Sequence, residues 1–173
     1  MSQEMEIFGI AVDATNNSPV LILKDKKSGE KILPIWIGMM EATPMAISLQ
    51  NINYDRPMTH DLFKNFICHM QMQIQKIEIS DIIDNTYYGR IYFSSLDYVF
   101  SLDARPSDAI ILALKFRAPI YASETVLQES LPDKAFTYTK AQQEILDSST
   151  DGKKWLDYLE NLNAEDFGNS PVQ

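Results

Sequence analysis

Apolar positions along the chain first recur every second residue, then every third or fourth, and the change of period marks the elements. Residues 5–12 (MEIFGIAV), 19–25 (PVLILKD) and 31–38 (KILPIWIG) are rich in β-branched and aromatic side chains and predict three strands. Asn16-Asn17-Ser18-Pro19 and Lys26-Lys27-Ser28-Gly29-Glu30 are turn sequences, and connections this short favour antiparallel neighbours. The period then lengthens. Met39, Ala42, Met45, Ala46 and Leu49 recur at helical spacing, with Pro44 inside the pattern, so this helix is expected to start late or to bend. After a loop at 53–58, Thr59 is placed to cap a second helix whose Leu62, Phe63, Phe66, Ile67 and Met70 form one apolar stripe. Residues 73–80, 86–94 and 98–104 return to strand character, with turns at Asp84-Asn85 and Ser95-Leu96-Asp97. A third helix is expected from near Ser107, with Ala109, Ile110, Ala113, Leu114 and Phe116 toward the core. Pro119 stops it, and 119–123 reads as a short buried strand.

This order of strands and helices predicts an α+β fold: a mixed, largely antiparallel sheet with two main helices packed on it, rather than a doubly wound parallel sheet. Past residue 124 the character changes to a helical turn and a linker. Short amphipathic helices are expected at 139–147 and 153–162, the second carrying Trp155, Leu156, Leu159 and Leu162, before an irregular end. The expected organisation is a domain at 1–131 and an acidic helical tail at 132–173.

Charge sharpens that division. The net charge of −9 lacks the basic footprint usual in nucleic-acid binders. It is unevenly spread: residues 1–123 hold 14 acids and 11 bases, residues 124–173 hold 10 acids and 4 bases. The front segment therefore has room for a local cationic patch. No apolar run approaches the roughly 20 residues that span a bilayer, so no membrane association is expected. The opening MSQEMEIFGI carries acids where a secretory leader carries bases, and the expected location is the cytoplasm. Cys68, the single cysteine, rules out an intrachain disulfide and is expected to be a small buried apolar residue.

Candidate chemistry gathers where one pattern occurs twice. Asp55-Arg56-Pro57-Met58-Thr59-His60-Asp61 leads into the second helix and Asp103-Ala104-Arg105-Pro106-Ser107-Asp108 into the third. Each sets an arginine and a proline ahead of a hydroxyl N-cap, with an aspartate in the first turn. A helix N-terminus presents unpaired N–H groups and partial positive charge, and an arginine beside it adds a fork of donors suited to phosphate. The aspartates offer hard oxygen ligands to a divalent cation, and His60 can exchange a proton near neutral pH. The same residues also have a purely structural reading, in which the aspartates offset the helix dipoles and the arginines pair with them. Neither a glycine-rich phosphate loop nor a Gly-x-Ser-x-Gly elbow occurs.

The segments LPIWIGMMEA (33–42), RPMTHDL (56–62), TYYGRIYF (86–93), DARPSDAIILAL (103–114) and APIYASETVL (118–127) occur in this order and resemble the bifunctional nuclease domain over about residues 4 to 131. The resemblance implies an α+β protein that forms homo-oligomers, dimers or higher, and a hydrolase that cuts phosphodiester bonds of RNA, DNA or both. On that reading His60, Asp61 and Asp108 are catalytic. Arg56, Arg105, Thr59 and Ser107 hold phosphate. Asp103, Asp108 and Glu41 hold a metal, Mg²⁺ or Mn²⁺, and no organic cofactor is implied. The alternative is a non-catalytic oligomeric binding or regulatory module whose Arg-Pro motifs are structural.

Overall fold

The computed structural model describes residues 1–13, 16–96 and 98–130. Its elements run β1 (Ser2–Val12), β2 (Pro19–Asp25), β3 (Ile32–Trp36), α1 (Met39–Leu49), α2 (Thr59–His69), β4 (Gln73–Ile83), β5 (Thr86–Ser94), β6 (Val99–Ala104), α3 (Pro106–Phe116), β7 (Ile120–Ser123) and α4 (Glu124–Glu129). The strands form one seven-stranded sheet in the order β3-β2-β1-β7-β4-β5-β6. Every neighbouring pair is antiparallel except β4 with β7. The fold is α+β, as expected.

Turn chemistry sets the registers. Asp84 and Asn85 both have positive φ, 49° and 58°, the backbone that a tight two-residue hairpin requires and that Asp and Asn tolerate. Asp25 organises the β2–β3 turn. Its carboxylate accepts the Lys27 N–H at 3.2 Å, the Ser28 N–H at 2.9 Å and the Ser28 hydroxyl.

Alternation along β4 and β5 buries Ile77, Ile79, Ile91 and Phe93 on one face of the sheet. Onto that face α3 lays Ala109, Ile110, Ile111, Leu112 and Ala113, all buried, with α1 and α2 against it. Gly89 on β5 lets the strand-to-helix corner close. A Cβ there would sit 2.8 Å from the Ala104 carbonyl oxygen and 3.3 Å from Pro106 N and Cα. The absence of that one carbon fixes where β6 ends and α3 begins.

Several expectations are corrected. Thr59 does not cap α2: Met58 does, in extended conformation, and Thr59 is the first helical residue. Asp61 reaches back to accept the Met58 N–H at 3.2 Å, so the end is held from inside the helix. Nor does Ser107 cap α3. Arg105 takes the cap position because a residue before proline is driven to extended backbone, and Pro106 fits the first helical site. The first helix does not start late. It runs from Met39, and the missing N–H falls one turn in, where exposed Met40 loses a carbonyl partner that water can replace. Cys68 is exposed rather than buried. The apolar stripe of α2 faces outward except for Ile67. The domain boundary at 131/132, the tail helices at 139–147 and 153–162, and Asp97 of the predicted turn lie outside the described residues.

Candidate functional site

Side chains from the first turns of α1, α2 and α3 join in one chain. Arg105, in the cap position of α3, donates from Nη1 to Glu41 Oε1 at 2.6 Å and from Nε to Asp108 Oδ2 at 2.8 Å. The other oxygen of Asp108 lies 3.0 Å from His60 Nε2. Next to His60, Asp61 accepts from Lys115 Nζ at 2.5 Å, which ties α2 to the last turn of α3. Glu41, Asp61 and Asp108 each occupy the third position of their helix, where a carboxylate offsets the partial positive charge of the N-terminus. Gly38, which caps α1, leaves room for Glu41 to fold back: any Cβ there would collide with the Glu41 carboxylate.

Opposing effects set the ionisation of these groups. Burial pushes the Asp108 carboxyl up, but hydrogen bonds from Arg105 and His60 outweigh it and hold the group below its ordinary value. Burial acts likewise on Asp61, and Lys115 and the Met58 N–H overcome it. Asp108 and Glu41 hold Arg105 all the more firmly protonated. An ionised Asp108 only accepts, so the His60 nitrogen facing it, Nε2, carries the proton. Nδ1 is left to exchange one. The pair is a carboxylate orienting an imidazole, with a guanidinium fixing the carboxylate in turn.

Arg105 is the most open member, its side chain 65% exposed. With Glu41 it walls a cleft of about 300 Å³ whose other lining includes Trp36, Gly38, Asn85, Tyr87 and Ser107. Burial pushes the Tyr87 hydroxyl's pKa up, and this hydroxyl donates to the Pro34 carbonyl at 3.1 Å, anchoring one wall to β3.

Of the residues singled out in sequence, Glu41, His60, Arg105 and Asp108 come together, Asp61 adjoins them, and Ser107 is buried at the cleft. Arg56 and Thr59 do not join; both are exposed, and the two Arg-Pro starts differ in register. Pro106 is the first helical residue of α3, whereas Pro57 stands outside α2. Asp55 is likewise exposed in the loop. Asp103 pairs in register with Arg90 on the sheet face turned away from α3, so it cannot act beside Asp108. In this arrangement the two carboxylates that could meet a divalent cation are already engaged by a cation of the chain itself. The Arg105 guanidinium already stands between the two carboxylates, and no three His, Cys, Asp or Glu side chains among the described residues form a set able to hold a metal ion. Sequence reasoning missed Lys115, Trp36 and Tyr87. Lys115 alone had a local signal, a base in the last turn of a helix.

Fold and site thus define an α+β domain with a His–Asp–Arg–Glu cluster at the meeting of three helix starts. The bifunctional nuclease domain family model matches residues 21–134, and the chain belongs to that family. It is 32% identical over 170 residues to an uncharacterized protein of Mycobacterium tuberculosis, a match covering 95% of this chain and 97% of that one. It is 26% identical over 109 residues to "Bifunctional nuclease 1" of Oryza sativa subsp. japonica, covering 61% of this chain and 33% of the rice protein. "Bifunctional nuclease 1" of Arabidopsis thaliana is 23% identical over a similar stretch, 34% of its length. No helix among the described residues is long and apolar enough to cross a membrane.

Proposed function

We propose that this chain is a nuclease that hydrolyses phosphodiester bonds of RNA or DNA beside the Arg105 cleft. The observation that carries the reading is the chain Arg105–Asp108–His60, which supplies an oxyanion holder and an oriented proton acceptor in one cluster. Family membership and the plant relatives' names support the same reading. Arg105 Nη2, which neither carboxylate takes, is the donor free to meet a phosphate oxygen. His60 Nδ1 accepts the proton of the attacking water as its oxygen bonds to phosphorus. The bond to the leaving oxygen breaks, and that oxygen is protonated by His60 or solvent.

The test is cleavage of labelled single- and double-stranded RNA and DNA by the purified protein, with Asp108→Asn and His60→Ala alongside, their folding checked by circular dichroism. Each change should lower the rate by about 10²–10⁴, the usual worth of a positioned acid–base group. Activity that survives both would place the chemistry elsewhere. Parallel reactions with Mg²⁺, Mn²⁺ or chelator decide metal dependence. A cation here would have to displace Arg105, so cleavage is expected to survive chelation.

The non-catalytic reading has one observation in its favour: Glu41 and Asp108 together offset the Arg105 charge. On that reading both variants change stability and the wild-type protein cuts none of the four substrates. Association of copies, expected on either reading, has its support in the β6 edge of the sheet. Location in the cytoplasm is part of the same proposal.

A further inference from the structure

The α2 stripe is an apolar ridge with nothing among the described residues laid over it. Leu62 is 62% and Phe66 53% exposed, and Met58, Phe63 and Met70 are exposed with them. The Phe63 and Phe66 rings stack, with centroids 6.4 Å apart. These positions share one face of the helix, so the ridge is continuous over about 18 Å. Contiguous exposed apolar surface of this kind marks a docking site.

Its charge setting selects the occupant. The single acid of α2, Asp61, is turned to Lys115, so no carboxylate of the helix stands on the ridge. Arg56 is exposed just ahead of the helix, beside the exposed Asp55 and in no ion pair among the described residues, and His69 closes the last turn. An acidic amphipathic segment fits such a surface, and the chain carries one beyond the described residues. Trp155, Leu156, Leu159 and Leu162 recur at helical spacing among Asp157, Glu160, Glu165 and Asp166, and no base follows Lys154. Reach is no obstacle. Twenty-four residues separate Ser130 from Trp155. The contour of a stretch of that length is at most about 80 Å, against a radius of gyration of about 14 Å for a folded unit of roughly 130 residues. The match to the mycobacterial protein covers 95% of this chain and so takes in most of residues 131–173.

We propose that residues 155–162 dock their apolar face on the α2 ridge of the same chain, with Glu160 at the rim and the acids that follow, Glu165 and Asp166, toward Arg56 and His69. The chain has two tryptophans, so subtracting the emission of Trp155→Phe from that of the full-length protein isolates Trp155. A Trp36→Phe protein gives the same component independently. The expected result is blue-shifted emission that acrylamide quenches weakly and that does not depend on protein concentration. Leu62→Glu with Phe66→Glu should shift Trp155 to the red and raise its quenching several-fold, with far-ultraviolet circular dichroism unchanged. A Trp155 already solvent-exposed in the parent, or one indifferent to both substitutions, would overturn the proposal. Protection that is lost on dilution would overturn it too, by assigning the ridge to a second copy.

Discussion

Two carboxylates are held ionised by different means. Asp25 is buried at the β2–β3 turn, and the Ser28 hydroxyl, then the Ser28 and Lys27 N–H groups, draw its pKa down to about 2. Because the folded value lies below the unfolded one, the contribution to stability is full above about pH 4 and is lost as pH falls toward 2. The shift corresponds to about 2–2.5 kcal/mol. Asp25→Asn should therefore lower stability by that amount at pH 7 and remove the matching part of the decline between pH 4 and 2. Urea unfolding across this range measures it, and parallel curves for the two proteins would refute the assignment. Asp108 works against its burial through Arg105 and His60, and its place in the site is legible in the sequence because a proline that opens a helix puts an aspartate two residues on in the first turn. Its partners are less legible. Glu41 and His60 lie 67 and 48 positions away in the chain, and nothing local joins them to Asp108.

The corner between β6 and α3 sets the aim of Arg105, and it rests on an atom that is missing. With a methyl group at Gly89, the Ala104 carbonyl and Pro106 backbone would have to move, since neither can rotate aside as a flexible side chain would. Gly89→Ala should cost about 1–3 kcal/mol, in the range of overpacking. It should also weaken cleavage more than its stability loss explains, because Arg105 stands between the two atoms displaced. Thermal unfolding and the cleavage rate, measured on one preparation well below its melting temperature, separate the effects. A destabilised protein with unchanged rate would show that the corner does not aim the arginine. In the sequence Gly89 reads only as one residue of TYYGRIYF; its meaning depends on a strand and a helix start fifteen residues further on. The strands and the α3 core face are legible because alternation and helical spacing are local properties. The α2 stripe shows the limit of that logic. Periodicity finds an apolar face and does not say whether the domain or something else covers it.

The sheet is open at both ends, and its two edges differ. On β3, Pro34 removes one N–H from the edge ladder, a common guard against pairing with another chain. The other edge, β6, has neither proline nor lysine, and Val99 is 70% exposed, with Tyr98 and Leu102 also open. An edge whose one charge is Asp103 is a template for antiparallel pairing with a second β6 about a twofold axis. The net charge of −9 opposes that contact, so association should tighten as salt screens the repulsion, the reverse of an interface held by ion pairs. Sedimentation or light scattering at rising salt should show a species of twice 19.8 kDa. Val99→Lys with Leu102→Lys places like charges across the axis and should return it to the monomer, leaving Trp155 emission as it was, since the α2 ridge is a separate surface. A dimer that persists in the double variant would move the interface elsewhere. A wild-type protein that stays monomeric at every salt concentration would leave the β6 edge unpaired and remove the support for oligomers.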